Sequence, residues 1–186
     1  GLNEIGIKLD KNGFISVSEK FETSKKDIYA IGDVINGPML AHKAEEDARA
    51  LIEMINGESG HIDYNLVPNI IYTSPEVASI GLNEEQIQKS EIDYNKGIFP
   101  FMANSRAKAI GHTDGFVKIL SDKKTDRILG AHIIGHEAGT IIHELCFAMG
   151  FGASSEDVSR ICHGHPTVNE AIKEAALATY SNPIHS

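Results

Sequence analysis

The 186-residue sequence predicts an α+β fold, an antiparallel sheet flanked by helices, preceded by a smaller piece of different character. Three observations carry this expectation. The strand-like runs "GFVKIL" and "RILGAHIIG" are joined only by the polar stretch Asp122 to Asp126, too short for a crossover, so the pair must run antiparallel. Strands come grouped, with helices around them, rather than alternating one for one as in a doubly wound sheet. A seam near residue 65, at "NGESGHIDYN", is rich in turn formers and reads as a linker between residues 1–65 and 66–186.

In the first piece, "GFISVSEKFETSKKDIYAIGDV" supplies short extended segments. "MLAHKAEEDARALIEMI" then places Leu40, Ala44, Ala48, Leu51, Ile52 and Ile55 on one helical face. "DIYAIGDV" is a near-continuous apolar run ending in Gly32-Asp33, the pattern of a buried parallel strand. An acid at the carboxyl end of such a strand can hold a sugar or polyol hydroxyl, and the helix behind it offers unpaired N–H groups to an anion. The plainer alternative is that Asp33 caps a turn.

In the second piece, "VPNIIYT" and "EVASIG" are strand-like, Asn83 can cap the short helix "EEQIQKS", and "GIFPFMA" supplies another strand. "EAGTIIHELCFAMG" is a helix ended by Gly150, followed by a second helix over "SSEDVSRI". Ile141, Ile142, Leu145, Cys146, Phe147, Met149 and Phe151 surround the first of these, more apolar surface than one core-facing stripe requires. Part of it should meet a second copy of the chain.

Composition excludes several classes of function. A formal charge of −9 without a basic face argues against nucleic acid. No apolar run approaches the roughly 18 residues of a membrane span, because His143 and Glu144 interrupt the longest. No signal-peptide pattern is visible, and an opening without methionine is compatible with a processed, truncated or tag-cleaved chain. Cys146 and Cys162 have no CxxC spacing, which suggests two buried thiols in a reducing compartment.

"CHGHPTVNEA", Cys162 to Ala171, carries the most chemistry, and its residues alone support three accounts. His163, His165 and Cys162 could ligate a metal, although no fourth ligand is evident. Thr167 and Glu170 could form a reciprocal capping box at a helix start. Alternatively, His165 could be an acid/base whose ring Glu170 orients from the first turn, with Pro166 restricting the backbone between them and a cis His165–Pro166 bond possible.

"TSKKDIYAIGDVINGPMLAHKAEEDA" resembles the second FAD-binding motif of the pyridine nucleotide-disulfide oxidoreductases. The resemblance implies that Asp33 binds the ribityl chain and that Met39, Leu40, Ala41 and His42 lie against the flavin's pyrimidine edge, mostly through main-chain atoms. "HGHPT" with its following glutamate is similar to the C-terminal signature of the dihydrolipoyl dehydrogenase branch, and "ANSRAKA", "GFVKIL", "ILGAHIIG" and "GASSEDVSRICHGHPT" resemble the family's interface domain in the same order. The implied roles are His165 as acid/base for the dihydrolipoyl thiol, Glu170 as its orienter, His163 as a neighbouring support, and no metal. The implied assembly is a homodimer built mainly from residues 66–186, with the active site shared between subunits.

The family's G-x-G-x-x-G, its C-x-x-x-x-C redox disulfide and its NAD site are not in this sequence. It therefore reads as the last part of an FAD-binding domain, residues 1–65, followed by an interface domain, residues 66–186. FAD and NAD would be cofactors of the whole enzyme, and the chain alone is expected to be inactive and to bind FAD weakly or not at all. Partners would be components of 2-oxo acid dehydrogenase complexes, in the cytoplasm of a bacterium or the mitochondrial matrix of a eukaryote. The alternatives are a dimerisation module without chemistry, or another family member such as a glutathione reductase.

Overall fold

The computed structural model describes residues 1–185. The chain divides into two compact units, Gly1–Val67 and the residues from Pro68 onward.

The second unit is built on five strands, β1 (Asn69–Ile71), β2 (Glu76–Gly81), β3 (Tyr94–Pro100), β4 (Phe116–Asp122) and β5 (Ile128–Gly135). They form one sheet in the order β1-β2-β5-β4-β3, and every neighbouring pair is antiparallel. The sheet is α+β in the sense the sequence implies. Between β4 and β5, Asp122 Oδ1 accepts the N–H groups of Lys124 and Thr125 and the Thr125 hydroxyl, so a single carboxylate folds the turn.

Alternation along the strands puts Ala78, Ile80, Val117, Ile119, Ala131 and Ile133 into the core. Helix α4 (Ala138–Gly150) packs on β2 and β5, and α6 (Glu170–Leu177) packs on β3 and β4. Of the apolar residues around α4, Ile141, Ile142 and Leu145 are buried, whereas Phe147 and Phe151 are 70% and 79% exposed. Helix α5 (Ser155–Arg160) lies against α6 and starts at a capping box between Ser154 and Asp157. The cap at Asn83 forms as expected over α2 (Glu84–Lys89), with Gln86 as the reciprocal partner. A further helix, α3 (Ser105–Ile110), starts at Asn104, whose side chain accepts from Ala107 N–H. At six residues it is too short for periodicity to reveal, and the sequence reading contains no helix there.

In the first unit, α1 (Ala41–Ile55) forms where the periodicity placed a helix, but its buried face is a different one. Lys43, Asp47, Ala50 and Leu51 face inward, while Ile52 and Ile55 are exposed. The apolar stripe misled because an i,i+4 ion pair occupies the inner face: Lys43 Nζ lies 2.8 Å from Asp47 Oδ2, with both side chains fully buried. "DIYAIGDV" is extended but belongs to no parallel strand. Its hydrogen bonds instead run back to the preceding segment, Ala30 N–H to Phe21 O and Thr23 N–H to Ile28 O, with an isolated bridge between Glu22 and Tyr29. Ile28 and Tyr29 are consequently exposed. Gly32–Val34 closes into a 3-10 turn.

Gly97 sets how close α6 comes to the sheet. A Cβ there would stand 2.0 Å from Ala175 O and 2.8 Å from Thr179 N, backbone atoms that cannot rotate away. Gly97→Ala is therefore expected to push α6 off β3 and to destabilise the unit by roughly 1–3 kcal/mol or more. Chemical denaturation checks this, and an unchanged midpoint would contradict the packing.

Candidate active site

The loop from Ile161 to Asn169 runs from α5 to α6, and the first residue of α6 holds it in place. Glu170 Oε1 lies 2.9 Å from His165 Nδ1, and Glu170 Oε2 accepts the Thr167 N–H at 2.8 Å. One carboxylate thus fixes a side chain and the backbone two residues beyond it. Asn104, reaching over from the start of α3, donates to Thr167 O at 3.0 Å. The proposed capping box is only half formed. Asn169 occupies the cap position but its side chain accepts no bond from the first turn, and the Thr167 hydroxyl donates to Gly164 O instead. The reason is register: Glu170 is the first residue of the helix rather than its third.

A carboxylate only accepts, so Nδ1 of His165 carries the hydrogen in this bond and Nε2 is left for another partner. The ring is 63% exposed. Burial pushes the Glu170 carboxyl up, but the bonds from Thr167 N–H and His165 outweigh it and hold the group below its ordinary range. The His165–Pro166 peptide is cis, and Pro166 is exposed beside the ring.

His163 points elsewhere and has a different chemistry. Its Nε2 lies 2.7 Å from Glu144 Oε1 and its Nδ1 lies 3.0 Å from Ile161 O. Both partners are acceptors, an arrangement that favours the imidazolium, with hydrogen on both nitrogens. The Glu144 bond raises its proton affinity against the opposing effect of burial. No ring nitrogen of His163 is left to ligate a metal. Asn169 Nδ2 donates to Glu144 Oε2 at 2.7 Å, which ties the same glutamate of α4 to the entrance of α6.

Sequence reasoning missed three of these groups. Asn104 and Glu144 carry no local signal, because their partners lie 63 and 25 residues away. The third is a pair in the C-terminal segment, where Glu174 Oε1 lies 2.8 Å from His185 Nδ1. Its one available signal was the position of Glu174 one helical turn after Glu170. The two cysteines also differ from expectation. Burial pushes the Cys146 thiol up to about 11, but Cys162 is exposed, because the loop that holds His163 and His165 turns it outward.

The other candidate residues lie together in the first unit. Asp33 sits in the 3-10 turn with its carboxylate exposed and without a hydrogen bond among the described residues. Met39 is exposed, Leu40 is the extended N-cap residue of α1, and Ala41 and His42 open the helix. Leu40 has no side-chain acceptor, so the first turn of α1 starts without a side-chain cap. The turn itself is clamped. Gly32, at φ 71°, donates its N–H to Asp47 at 2.9 Å and accepts from Lys43 Nζ at 3.0 Å, and the Tyr64 hydroxyl donates to Asp47 at 2.8 Å. A free acid and an uncapped helix start, both on a rigid turn, fit the ribityl hydroxyls and ring edge of a flavin.

Comparison with known proteins places this arrangement. Residues 67–176 match the dimerisation domain of pyridine nucleotide-disulphide oxidoreductases, and residues 1–48 match a second model of pyridine nucleotide-disulphide oxidoreductases. Dihydrolipoyl dehydrogenase 2, mitochondrial, of Arabidopsis thaliana is 60% identical over 184 residues, covering 99% of this chain and 36% of that protein. The mitochondrial dihydrolipoyl dehydrogenase of Cricetulus griseus is 54% identical, covering 100% and 36%. Leghemoglobin reductase of Glycine max is 56% identical, covering 98% and 35%. Among solved structures, LpdA of Mycobacterium tuberculosis superposes with a TM-score of 0.87 at 26% identity, over 95% of this chain and 39% of that one. The chain thus spans little more than a third of the length of these curated relatives. With its sheet and most of its length matched by the dimerisation-domain model, the chain belongs to the pyridine nucleotide-disulphide oxidoreductase family.

Proposed function

We propose that this chain forms the C-terminal part of a dihydrolipoyl dehydrogenase, contributing the acid/base pair His165–Glu170 and a dimer surface. The enzyme would reoxidise dihydrolipoyl groups of 2-oxo acid dehydrogenase complexes, in the mitochondrial matrix if its source is a eukaryote; the relatives named mitochondrial dihydrolipoyl dehydrogenases support this reading. Residues 1–65 would be the end of its FAD-binding domain and residues 66–186 its interface domain. One observation carries the reading: the imidazole of His165 is oriented through Nδ1 by a carboxylate, while Nε2 remains exposed.

When a dithiol is oxidised to a disulfide, two electrons and two protons leave it, and a thiol attacks only as its thiolate. His165 Nε2 is placed to take one of those protons, and Glu170 stabilises the imidazolium that results. Asp33 would accept from the ribityl hydroxyls, and the main chain of Met39, Leu40, Ala41 and His42 would meet the pyrimidine edge. FAD, when bound, would supply the route by which the electron pair passes to NAD. The chain alone contains neither the C-x-x-x-x-C pair nor a G-x-G-x-x-G cradle, so it would be inactive and hold FAD weakly.

The dimer surface would centre on α4. Phe147 and Phe151 lie with ring centroids 4.7 Å apart, tilted by 43°, and both are exposed. Light scattering should return a dimer mass for the chain and a monomer mass for a Phe147→Asp, Phe151→Asp variant. A strictly monomeric mass for the unsubstituted chain at every concentration would refute the assembly.

In the complete enzyme, Glu170→Gln should lower turnover roughly 10-fold or more, part of the 10²–10⁴ that acid/base groups contribute. Loss of the negative charge also disfavours the imidazolium, so the acid limb of the pH–rate profile should move to lower pH. An unchanged profile would reduce Glu170 to a structural tie.

His163 would support the loop in its protonated form. Its proton affinity is raised in the folded chain, so the stabilisation from its Glu144 bond is fully present below the unfolded value of about 6.5. It is lost as pH rises through the raised folded value. Thermal melts should therefore show Glu144→Gln costing most at the acid end of that window and least above it. A penalty independent of pH would show that His163 is not charged.

A further inference from the structure

Helix α6 carries a second histidine–glutamate pair built like the first. Glu174 is 4% exposed, one turn beyond Glu170 on the same helix. Its Oε1 lies 2.8 Å from His185 Nδ1, and its Oε2 accepts the Ile184 N–H at 2.7 Å. Glu170 divides its oxygens in the same way, one to an imidazole Nδ1 and one to a backbone N–H. In each pair the carboxylate fixes the hydrogen on Nδ1 and leaves Nε2 open. His185 is 59% exposed at its side chain and lines the same cleft as His165, Glu170 and Glu174.

We propose that His185, held by Glu174, is a positioning residue of the acid/base site: a second imidazole whose charge, facing the same cleft, sets how readily His165 takes up a proton. This rests on His165 being the acid/base. Phe99, Ala103, Asn104 and Ser105 complete the lining of the cleft, and none of them titrates. The titratable groups that line it with His185 are Glu174, Glu170 and His165. Glu174 is committed to the C-terminal segment through both oxygens, so its charge fixes where His185 sits. A protonated His185 opposes a second positive charge in the cleft, and a neutral one does not. The Coulomb effect of the His185 charge on the Glu170 carboxyl, a small contribution in the lowering direction, agrees with this placement.

The test uses charge rather than loss. In the complete enzyme, His185→Gln removes the cation and should move the acid limb of the kcat/KM profile for dihydrolipoamide up by roughly half a pH unit. His185→Arg makes the cation permanent and should leave the limb at or below its unsubstituted position, never above it. The His165 Cε1 signal, assigned with a His165→Gln variant and followed by NMR across the same pH range, should shift in the same directions. Shifts of one sign for both His185 variants, or none beyond about 0.1 unit, would overturn the proposal. His165→Gln with undiminished turnover would instead overturn the acid/base reading, while the NMR titration would still decide whether the two imidazoles are coupled.

Discussion

The backbone of α6 lies directly on β3 at Gly97, and the acid/base cluster takes its position from that contact. A side chain at residue 97 would meet Ala175 O and Thr179 N, so the helix axis has little freedom to move along or away from the sheet. Ala171, Ile172, Ala175 and Ala176 turn inward as small or well-packed residues and complete the seating. Glu170 and Glu174 then project from the same helix at heights fixed by its pitch. Each reaches a separate loop, one containing His165 and the other His185. The loops contribute the two imidazoles, and the helix, itself positioned by the sheet, gives them defined places.

The first unit solves a comparable problem with charge. Its small core, around Phe21, Ala30, Ile35, Ala50 and Leu51, leaves the inner face of α1 to be completed by Lys43 and Asp47. A buried ion pair is costly unless every lone pair and proton finds a partner. Here Asp47 takes Lys43, Gly32 N–H and the Tyr64 hydroxyl, and Lys43 also reaches Gly32 O. The partners that make the pair tolerable are the two backbone groups of Gly32. The same bonds that neutralise the cost therefore hold the turn that presents Asp33.

What could be read from the sequence followed the range of each interaction. The β4–β5 hairpin, the cap at Asn83, and the bond from Glu170 to His165 all join residues within a few positions, and each has a local signature. The face of α1 was misread because hydrophobic periodicity assigns Lys and Asp to solvent, whereas here each satisfies the other inside. "DIYAIGDV" was misread because an apolar run specifies burial better than it specifies a partner, and its backbone bonds go to residues 21–23. Glu144, Asn104 and His185 were beyond reach for a third reason: their roles come from tertiary contacts that no spacing encodes.

The three histidines around α6 show how environment divides one residue type into different chemistries. His163 faces two acceptors, which favour its protonated form and make it a tie between Ile161 and α4. His165 and His185 each face one acceptor, and each keeps a nitrogen for exchange with solvent or a reacting group. In "HGHPT" the two histidines are separated by a single glycine, yet their rings reach different glutamates on different helices. Acid/base capacity therefore follows from how many acceptors meet each ring, not from the motif. Glu144 and Glu170 make that division, and each holds a second group at the mouth of α6, Asn169 in one case and Thr167 N–H in the other. The protonated tie and the exchangeable base are consequently parts of one network, in which the first holds the loop while the second remains free to change its proton.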